Sequence, residues 1–578
     1  MRILGIGPFT HDTAAALLED GVVKAAIEND KIVRHPTHGL PEAAIRLCLT
    51  AAELAWRDLD AVALATRPVR GWLRRASLPP LTIRSAAYYQ TNEAGRLARE
   101  ANDFRRLKQH CASSCKLLRF DHHESHAANS YFQSSFDQAL ILTLDEDGDG
   151  VSGMVARGEG RQIRVLKRIS FRDSLAWLYS RVTELIGFRA HRDEHKTQWL
   201  SLEGEPIFKD LFLDMLRPAG RGVLPRLNYH FFEYNVEAQP VFSTKFYRAL
   251  RARGTAELTS EHARALASSI QQACTEIISD LLSHFLEKEH LVHICLGGGL
   301  FQNSLLIAEL EDKFGLGRVF VPPAPGNPGS AIGAGLLAWH RLSQQPRLPA
   351  SRVVFSGPRF NHQEIKEVLD NAKVKYVLQE TEVRKLDAAI DLLLAGKIVG
   401  WYQGAAEFGP RALGNRSVLA SPWAPYVKEN LNDYIKHREW FRPFALAIPA
   451  EDCSRYFLAS SLCGNMNSLA RVNKGCEDTL NGFLLPGGRI RLQTVERANN
   501  PLFWHLLRRI GERSIAPILL NTSFNLFGEP LVVTPREALR SYFSSGIDAL
   551  VIDNFVLSKR PASPPVAAAM ELGSQVHA

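Results

Sequence analysis

The chain has 578 residues, 46% hydrophobic and 22% charged, with a net charge of +8. Such a length allows roughly two to four domains with ample core, and the mild positive charge suits anionic small molecules without demanding nucleic acid. Eight scattered cysteines, close together only at Cys111 and Cys115, exclude a disulfide scaffold, and no apolar run of about 18 residues suggests a membrane span. With no signal peptide ahead of Ile3, a cytoplasmic protein is expected.

The first strand is predicted at Ile3 to Gly7, and Glu19-Asp20-Gly21 reads as a hairpin turn between two apolar runs. His11, in the polar loop after the first strand, is a candidate site residue or simply a loop histidine. Residues 41–54 are apolar at helical spacing, and 61–66 form a buried strand. The arginine-rich residues 67–110 look like an irregular, exposed excursion. In DHHESHAANSYF, His122 and His126 are four apart and share one helix face, a metal-ligand spacing. The following strand ends on Asp145, and two histidines with one carboxylate suit a divalent metal, iron(II) included. The bland alternative has His123 and His126 packing at a surface beside Glu124. Residues 173–188 and 263–288 read as helices, while 206–260 resist assignment. Lys196 falls in a polar, turn-rich loop, facing an anion or solvent. Gly297, Gly298 and Gly299 follow a strand, and a second glycine-rich turn, PGNPGSAIGAG, opens the helix ending near Leu342. Two such turns point to a nucleotide, because glycine lets backbone approach phosphate closely.

Residues 343–352 are the best domain boundary, and no long internal repeat is visible. The second half is dominated by Gly400 to Pro443, where Arg411, Arg416, Lys436, Arg438 and Arg442 mix with Glu407 and Glu439 among Phe408, Trp440 and Phe441. Guanidinium groups in apolar surroundings suit phosphate, and an ion-pair network between these arginines and the two glutamates is the structural alternative. Arg491 lies on a predicted strand, and the turn carrying Asn521, Ser523 and Asn525 offers donors and acceptors to a phosphate or ribose. The tail from Arg560 is rich in Pro, Ala, Ser and Val and is expected to be disordered.

Together, HDTAA, DHHESHAA, LGGGLFQN, EFGPRALGNRS, KHREWFRPFA, LQTV and LLNTSFNLFGEP resemble the NodU/CmcH family of carbamoyltransferases, collinearly over about residues 1–558. The resemblance implies an α/β architecture with a Kae1-like domain of actin/hexokinase (ASKHA) type over 1–345, a YrdC-like α/β domain over 353–560, and a tail at 561–578. It implies that ATP and carbamoyl phosphate form carbamoyl adenylate in the second domain, and that the first passes the carbamoyl group to a hydroxyl of a small-molecule acceptor, as in antibiotic and other secondary-metabolite pathways. By that resemblance Arg411, Lys436, Arg438, Arg442, Arg491, Asn521, Ser523 and Asn525 bind ATP and carbamoyl phosphate with Mg²⁺. The loop Gly297 to Gly299 with Asn303 receives the adenylate. His122, His126, Asp145 and the position of Asn327 hold the metal, and His11 and Lys196 serve catalysis, His11 as the general base.

Three departures stand out. Asn327 replaces a customary aspartate, Thr37 before His38 replaces a lysine, and Ala405 replaces an arginine. Two rival readings remain: a threonylcarbamoyl-type tRNA modification enzyme, favoured by the pI near 9.0, and an inactive nucleotide-binding homologue. Nucleic acid and membrane partners are not expected, and a homodimer is compatible with the sequence.

Overall fold

The computed structural model describes residues 1–76, 83–217, 223–234, 240–251, 259–349 and 353–559, so the tail lies outside the described residues. The first half holds two five-stranded sheets built on one plan. In the first, β1 (Arg2–Ile6), β2 (Ala14–Glu19) and β3 (Val22–Glu28) form an antiparallel meander. Strands β4 (Ala61–Leu64) and β5 (Lys116–Arg119) then extend the sheet parallel to β1, in the order β3-β2-β1-β4-β5. In the second, β6 (Gln138–Gly148), β7 (Val151–Glu159) and β8 (Gln162–Ser170) meander in the same way, and β9 (Ile294–Gly297) and β10 (Val319–Phe320) extend the sheet parallel to β6.

This is a duplicated fold, although the sequence shows no long repeat. Topology is preserved by turn positions and apolar alternation, which tolerate almost any residue identity. The duplication matters for the site. The loop after β1, carrying His11, and the C-terminal end of β6, carrying Asp145, occupy equivalent places in the two repeats. So do the helices that follow the last strand of each repeat, His122–Gln133 and Asn327–Ser343. These two helices pack closely: a Cβ on Gly333 would lie 1.8 Å from the Ser125 carbonyl oxygen. Part of the second glycine-rich stretch therefore serves helix packing, not backbone approach to a ligand. The two-sheet arrangement is the actin/hexokinase-type architecture expected.

Residues 67–110 depart from expectation. They form the helices Pro68–Ala76 and Ile83–His110. Arginines hid the period, yet Arg74 and Arg75 are partners of acids, at 2.8 Å from Asp121 and 2.7 Å from Asp147. The unassigned stretch 206–260 contributes the helices Lys209–Leu216 and Thr244–Arg251, packed with Ser260–Glu289 in the core of the second repeat.

The second half is an α/β domain around one ten-stranded mixed sheet. Its middle runs in the order Val399–Tyr402, Arg416–Ala420, Leu519–Ser523, Ala445–Pro449, Arg489–Val495. Apolar side chains cover both faces, and the ordering brings the loops before Arg416, after Ser523 and before Ala445 to one place. Among the described residues no helix is long and apolar enough to cross a membrane.

Candidate active site

The hairpin after β6 organises the first cluster. Strand β6 continues past Asp145 to Gly148, where the sequence suggested a turn. Asp149 then adopts φ 55° and turns its carboxylate back to accept the His122 backbone N–H at 3.0 Å, with Thr66 Oγ1 and the Arg67 N–H as further donors. It thereby satisfies an otherwise open donor at the helix N-terminus. His122 Nε2 and His126 Nε2 stand 3.0 Å apart, and Asp145 Oδ2 lies 3.7 and 3.3 Å from them. Among the described residues this is the group of three with metal-ligating atoms mutually within 4.8 Å. The bland alternative for the histidines does not hold. His123 is buried between Thr143 Oγ1 and the Val151 carbonyl, and Glu124 pairs with Arg168.

Burial would raise the Asp145 carboxyl, but His122 and His126 outweigh it and hold it well below the usual carboxylate range. Burial and then His122 lower His126. A carboxylate kept ionised beside an imidazole kept neutral suits a divalent cation, which would also have to displace the proton that Asp145, Asp149 and Asp121, outweighing burial, favour on His122. Asp145 Oδ2 and Asn327 Oδ1 are buried without a hydrogen-bond partner. The donor set therefore fits a metal.

Asn327 points its amide nitrogen at His11, 3.3 Å from the carbonyl and 3.4 Å from the ring nitrogens. Burial lowers the His11 pKa, but Asp12, 3.1 Å away, followed by Asp145 and Glu146, outweighs this and raises it to about 9. The acids beside His11 thus push it toward the imidazolium form, away from the neutral imidazole a general base needs. Thr37, where a lysine was expected, lies in a network with Asp30, Asn29 and Thr13. The Gly297 to Gly299 loop closes on the metal-ligating group. A Cβ on Gly298, at φ 99°, would meet the Leu144 carbonyl at 2.2 Å, and one on Gly299 would lie 3.1 Å from Asp145 Oδ1. Asn303 is turned away from a ligand role: its Oδ1 caps the helix Ser304–Phe314 and its amide donates to Gln271 at 2.7 Å.

The second cluster gathers Arg411, Arg438, Arg442, Arg491 and Lys436. Burial and then Arg442 pull Arg411 down to about 10 and Arg438 to about 9, while burial, Arg411, Arg438 and Arg442 depress Arg491 strongly. These cations are packed against one another. Glu439 is their acid, 3.5 Å from Arg442 and 2.8 Å from Lys196. Glu407 belongs to no ion-pair network among the described residues. Its buried Oε1 accepts the backbone N–H groups of Leu413, Asn415 and Arg416 and shapes the loop. Arg416 also leaves the cluster. It is fully buried, donates to the carbonyls of Gln403, Gly404, Asn415 and Pro358, and stacks on Tyr402 at 3.7 Å.

Lys436 Nζ donates to the Ser523 carbonyl and, at 2.8 Å, to Asn525 Oδ1, which also accepts from Ser523 Oγ at 2.6 Å. Asn521 donates to Gln493 at 2.6 Å and keeps a buried, unpartnered Oδ1. The Ala405 carbonyl accepts from Asn415 at 2.7 Å.

Lys196 lies in the first turn of the helix Glu194–Leu200, not in a loop. Its ammonium reaches Glu439 in the other half. Five residues earlier, His191 pairs with Glu146, beside Asp145, at 2.7 Å. This segment therefore touches both clusters. Arg411 makes a second link, donating to the Gln302 carbonyl of the glycine-rich loop at 3.2 Å. His195, in the DEHK run one residue before Lys196, joins the cation cluster although the sequence gives it no role of its own; burial, then Arg442, Arg411 and Lys196, lower it to about 3. Asp149 was likewise missed, hidden among the acids of a turn.

A duplicated ASKHA-type fold with a His-His-Asp group, joined to an α/β half with a buried cation cluster, gives a two-part α/β protein with two candidate sites. Models of the carbamoyltransferase N-terminus and C-terminus match residues 2–336 and 390–559, and the chain belongs to this carbamoyltransferase family, the NodU/CmcH family. Uncharacterized protein sll1178 of Synechocystis sp. is 32% identical over 96% of this chain and 97% of its own length. Nodulation protein NolNO of Sinorhizobium fredii is 30% identical over 96% of this chain and 80% of its own. The 3'-hydroxymethylcephem-O-carbamoyltransferase of Amycolatopsis lactamdurans is 31% identical over 40% of this chain and 42% of its own.

Proposed function

We propose that the protein is an ATP-dependent O-carbamoyltransferase that works in two stages. In the second half, carbamoyl phosphate is hydrolysed to carbamate and phosphate. The carbamate oxygen then attacks the α-phosphorus of ATP, giving carbamoyl adenylate and pyrophosphate. Two polyanions must meet there, and Arg411, Arg438, Arg442, Arg491 and Lys436 supply the charge that offsets their repulsion, together with Mg²⁺. In the first half an acceptor hydroxyl attacks the carbamoyl carbon and AMP leaves. The observation that carries this reading is the Arg411 contact with Gln302, which sets the cation cluster against the glycine-rich loop over Asp145.

His122, His126 and Asp145 would hold a divalent metal, with Asn327 a weaker fourth donor, and a two-histidine, one-carboxylate set suits iron(II). The metal would supply Lewis acidity toward the carbamoyl oxygen. His11 orients the acceptor hydroxyl. A cation on Asp145 would cancel part of the field that keeps His11 protonated, moving it toward the neutral form a base needs. The acceptor is expected in the cleft of about 580 Å³ beside His11, lined by His38, Arg96, Arg99, Asn102 and Asp103. An alcohol acceptor agrees with the name of the cephem relative, and a role in antibiotic biosynthesis is one setting for it.

Pyrophosphate release from ATP and carbamoyl phosphate, without acceptor, tests the first stage. A mass gain of one carbamoyl group on candidate alcohols tests the second. The reading falls if no pyrophosphate appears.

A further inference from the structure

We propose that a cleft at the end of β8 is an oxyanion subsite, separate from the cation cluster of the second half. The cleft encloses about 330 Å³ and is lined by Arg168 and Ser170 of β8, Arg172 and Asp173 of the next turn, and Arg226 and Tyr229 of a later segment. Arg168 is partly compensated by Glu124 at 2.9 Å. Arg172 and Arg226 pair with no carboxylate among the described residues. Asp173, the acid in the lining, accepts the Leu227 N–H at 3.1 Å. The Nε atoms of Arg168 and Arg172 are buried without an acceptor among the described residues.

The site is built, not a chance meeting of surface charges. The Leu227 bond to Asp173 and the Tyr229 hydroxyl bond to the Arg172 carbonyl tie residues 227–229 onto the turn and bring Arg226 to the cleft. Arg168, Arg172 and Arg226 bring three guanidinium side chains to the lining of one cleft. A tetrahedral or planar oxyanion takes paired N–H donors from such forks. The ligand class is a phosphate or sulfate group, free or carried by a small molecule. The subsite is joined to the metal-ligating hairpin, since the Phe171 N–H donates to Gly150 and Ser174 Oγ donates to the Asp145 carbonyl at 3.1 Å.

The test is calorimetric titration of the full chain at low salt with inorganic phosphate and, separately, with glucose 6-phosphate. An Arg438→Ala/Arg491→Ala background removes the larger cation site. That background should still bind one phosphate per chain, and adding Arg172→Gln and Arg226→Gln should weaken binding about tenfold or more. Pyrophosphate release by Arg172→Gln/Arg226→Gln in the otherwise native chain should be unchanged. Arg226→Gln alone, at an exposed position, should weaken binding several-fold with no change in melting temperature, separating charge loss from misfolding. Tighter binding of the ester would assign the group to an organic phosphate; tighter binding of inorganic phosphate would assign it to the free anion. The proposal is overturned if neither ligand binds the background, or if the glutamine variants bind as well as their parent.

Discussion

The two clusters solve opposite electrostatic problems. Around Asp145 a carboxylate faces two imidazoles: they hold the carboxyl ionised, while it pulls both rings toward protonation, so that His122 is raised and His126, lowered by burial and by His122, is not. Around Arg442 the cations depress one another, and Glu439 and Asp193 offer the acid charge. The first site is a small, nearly balanced receptor, whereas the second is an unbalanced one whose partner must carry several negative charges. Their sources differ as well. Fold duplication makes the first, bringing equivalent loops and helices of two repeats face to face; one irregular stretch and two strand ends of a single sheet make the second.

The largest expected effects separate the two directly. His126→Ala or Asp145→Asn should lower carbamoyl transfer at least about 100-fold, while pyrophosphate release stays within about threefold of native. Arg438→Ala or Arg491→Ala should lower both by about 100-fold. Metal removal by a chelator, with Mg²⁺ restored, should resemble the first pair. If Asp145→Asn stopped pyrophosphate release, the division of labour between the halves would be refuted.

Two arginines five positions apart sharpen the comparison within one loop. Arg416 serves buried carbonyls, so Arg416→Met should cost about 3 kcal/mol through groups left without donors. Arg411 is held among like charges, so Arg411→Met should change stability by less than about 0.5 kcal/mol, or raise it, while weakening ATP binding. Urea unfolding of the two variants, beside nucleotide titration, would expose an error if both lost stability equally.

That pair also shows what the sequence could and could not tell. Residue type and motif order were enough to name both clusters, because metal spacing on a helix and guanidinium density near glycine are local properties. Local pattern could not divide Arg411 from Arg416, since their difference is whether carbonyls of distant segments converge on the side chain. For Lys196 the sequence leaves anion and solvent both open, and its helix and its partner Glu439 depend on how the halves meet. Asn303 is a ligand only by the family resemblance, and local pattern does not show that its side chain caps the helix beginning at Ser304. The fold duplication was invisible for the same reason: it is conserved as topology and not as residues.

Asn327 tests the cation side at smaller scale. Its Oδ1 is buried and unpartnered, and an amide oxygen is a weaker donor than a carboxylate. Asn327→Asp should tighten metal binding by about tenfold, the scale on which single groups around a metal act, as read by competition with a metal-sensitive dye. No change would mean that Asn327 serves only His11.

The smallest effect belongs to the acid between the halves. Burial raises Glu439, but Lys196, through a 2.8 Å contact, and then Arg442 outweigh it and lower its pKa below the usual glutamate value. A depressed carboxyl contributes stability above its unfolded pKa and loses it as pH falls through the lower, folded value. The contribution is therefore whole at pH 7 and begins to fade below about pH 4.5, the ordinary glutamate range. Glu439 is partly open to solvent, so it is worth no more than about 1 kcal/mol. Between pH 6 and 3.5, native protein should lose slightly more stability than Glu439→Gln, which cannot titrate there. Because the same carboxylate also tempers Arg442, Glu439→Gln should bind ATP more tightly at pH 7, even as it loosens the contact with Lys196. Parallel pH–stability curves together with unchanged nucleotide affinity would show that Glu439 neither joins the halves nor moderates the cation cluster.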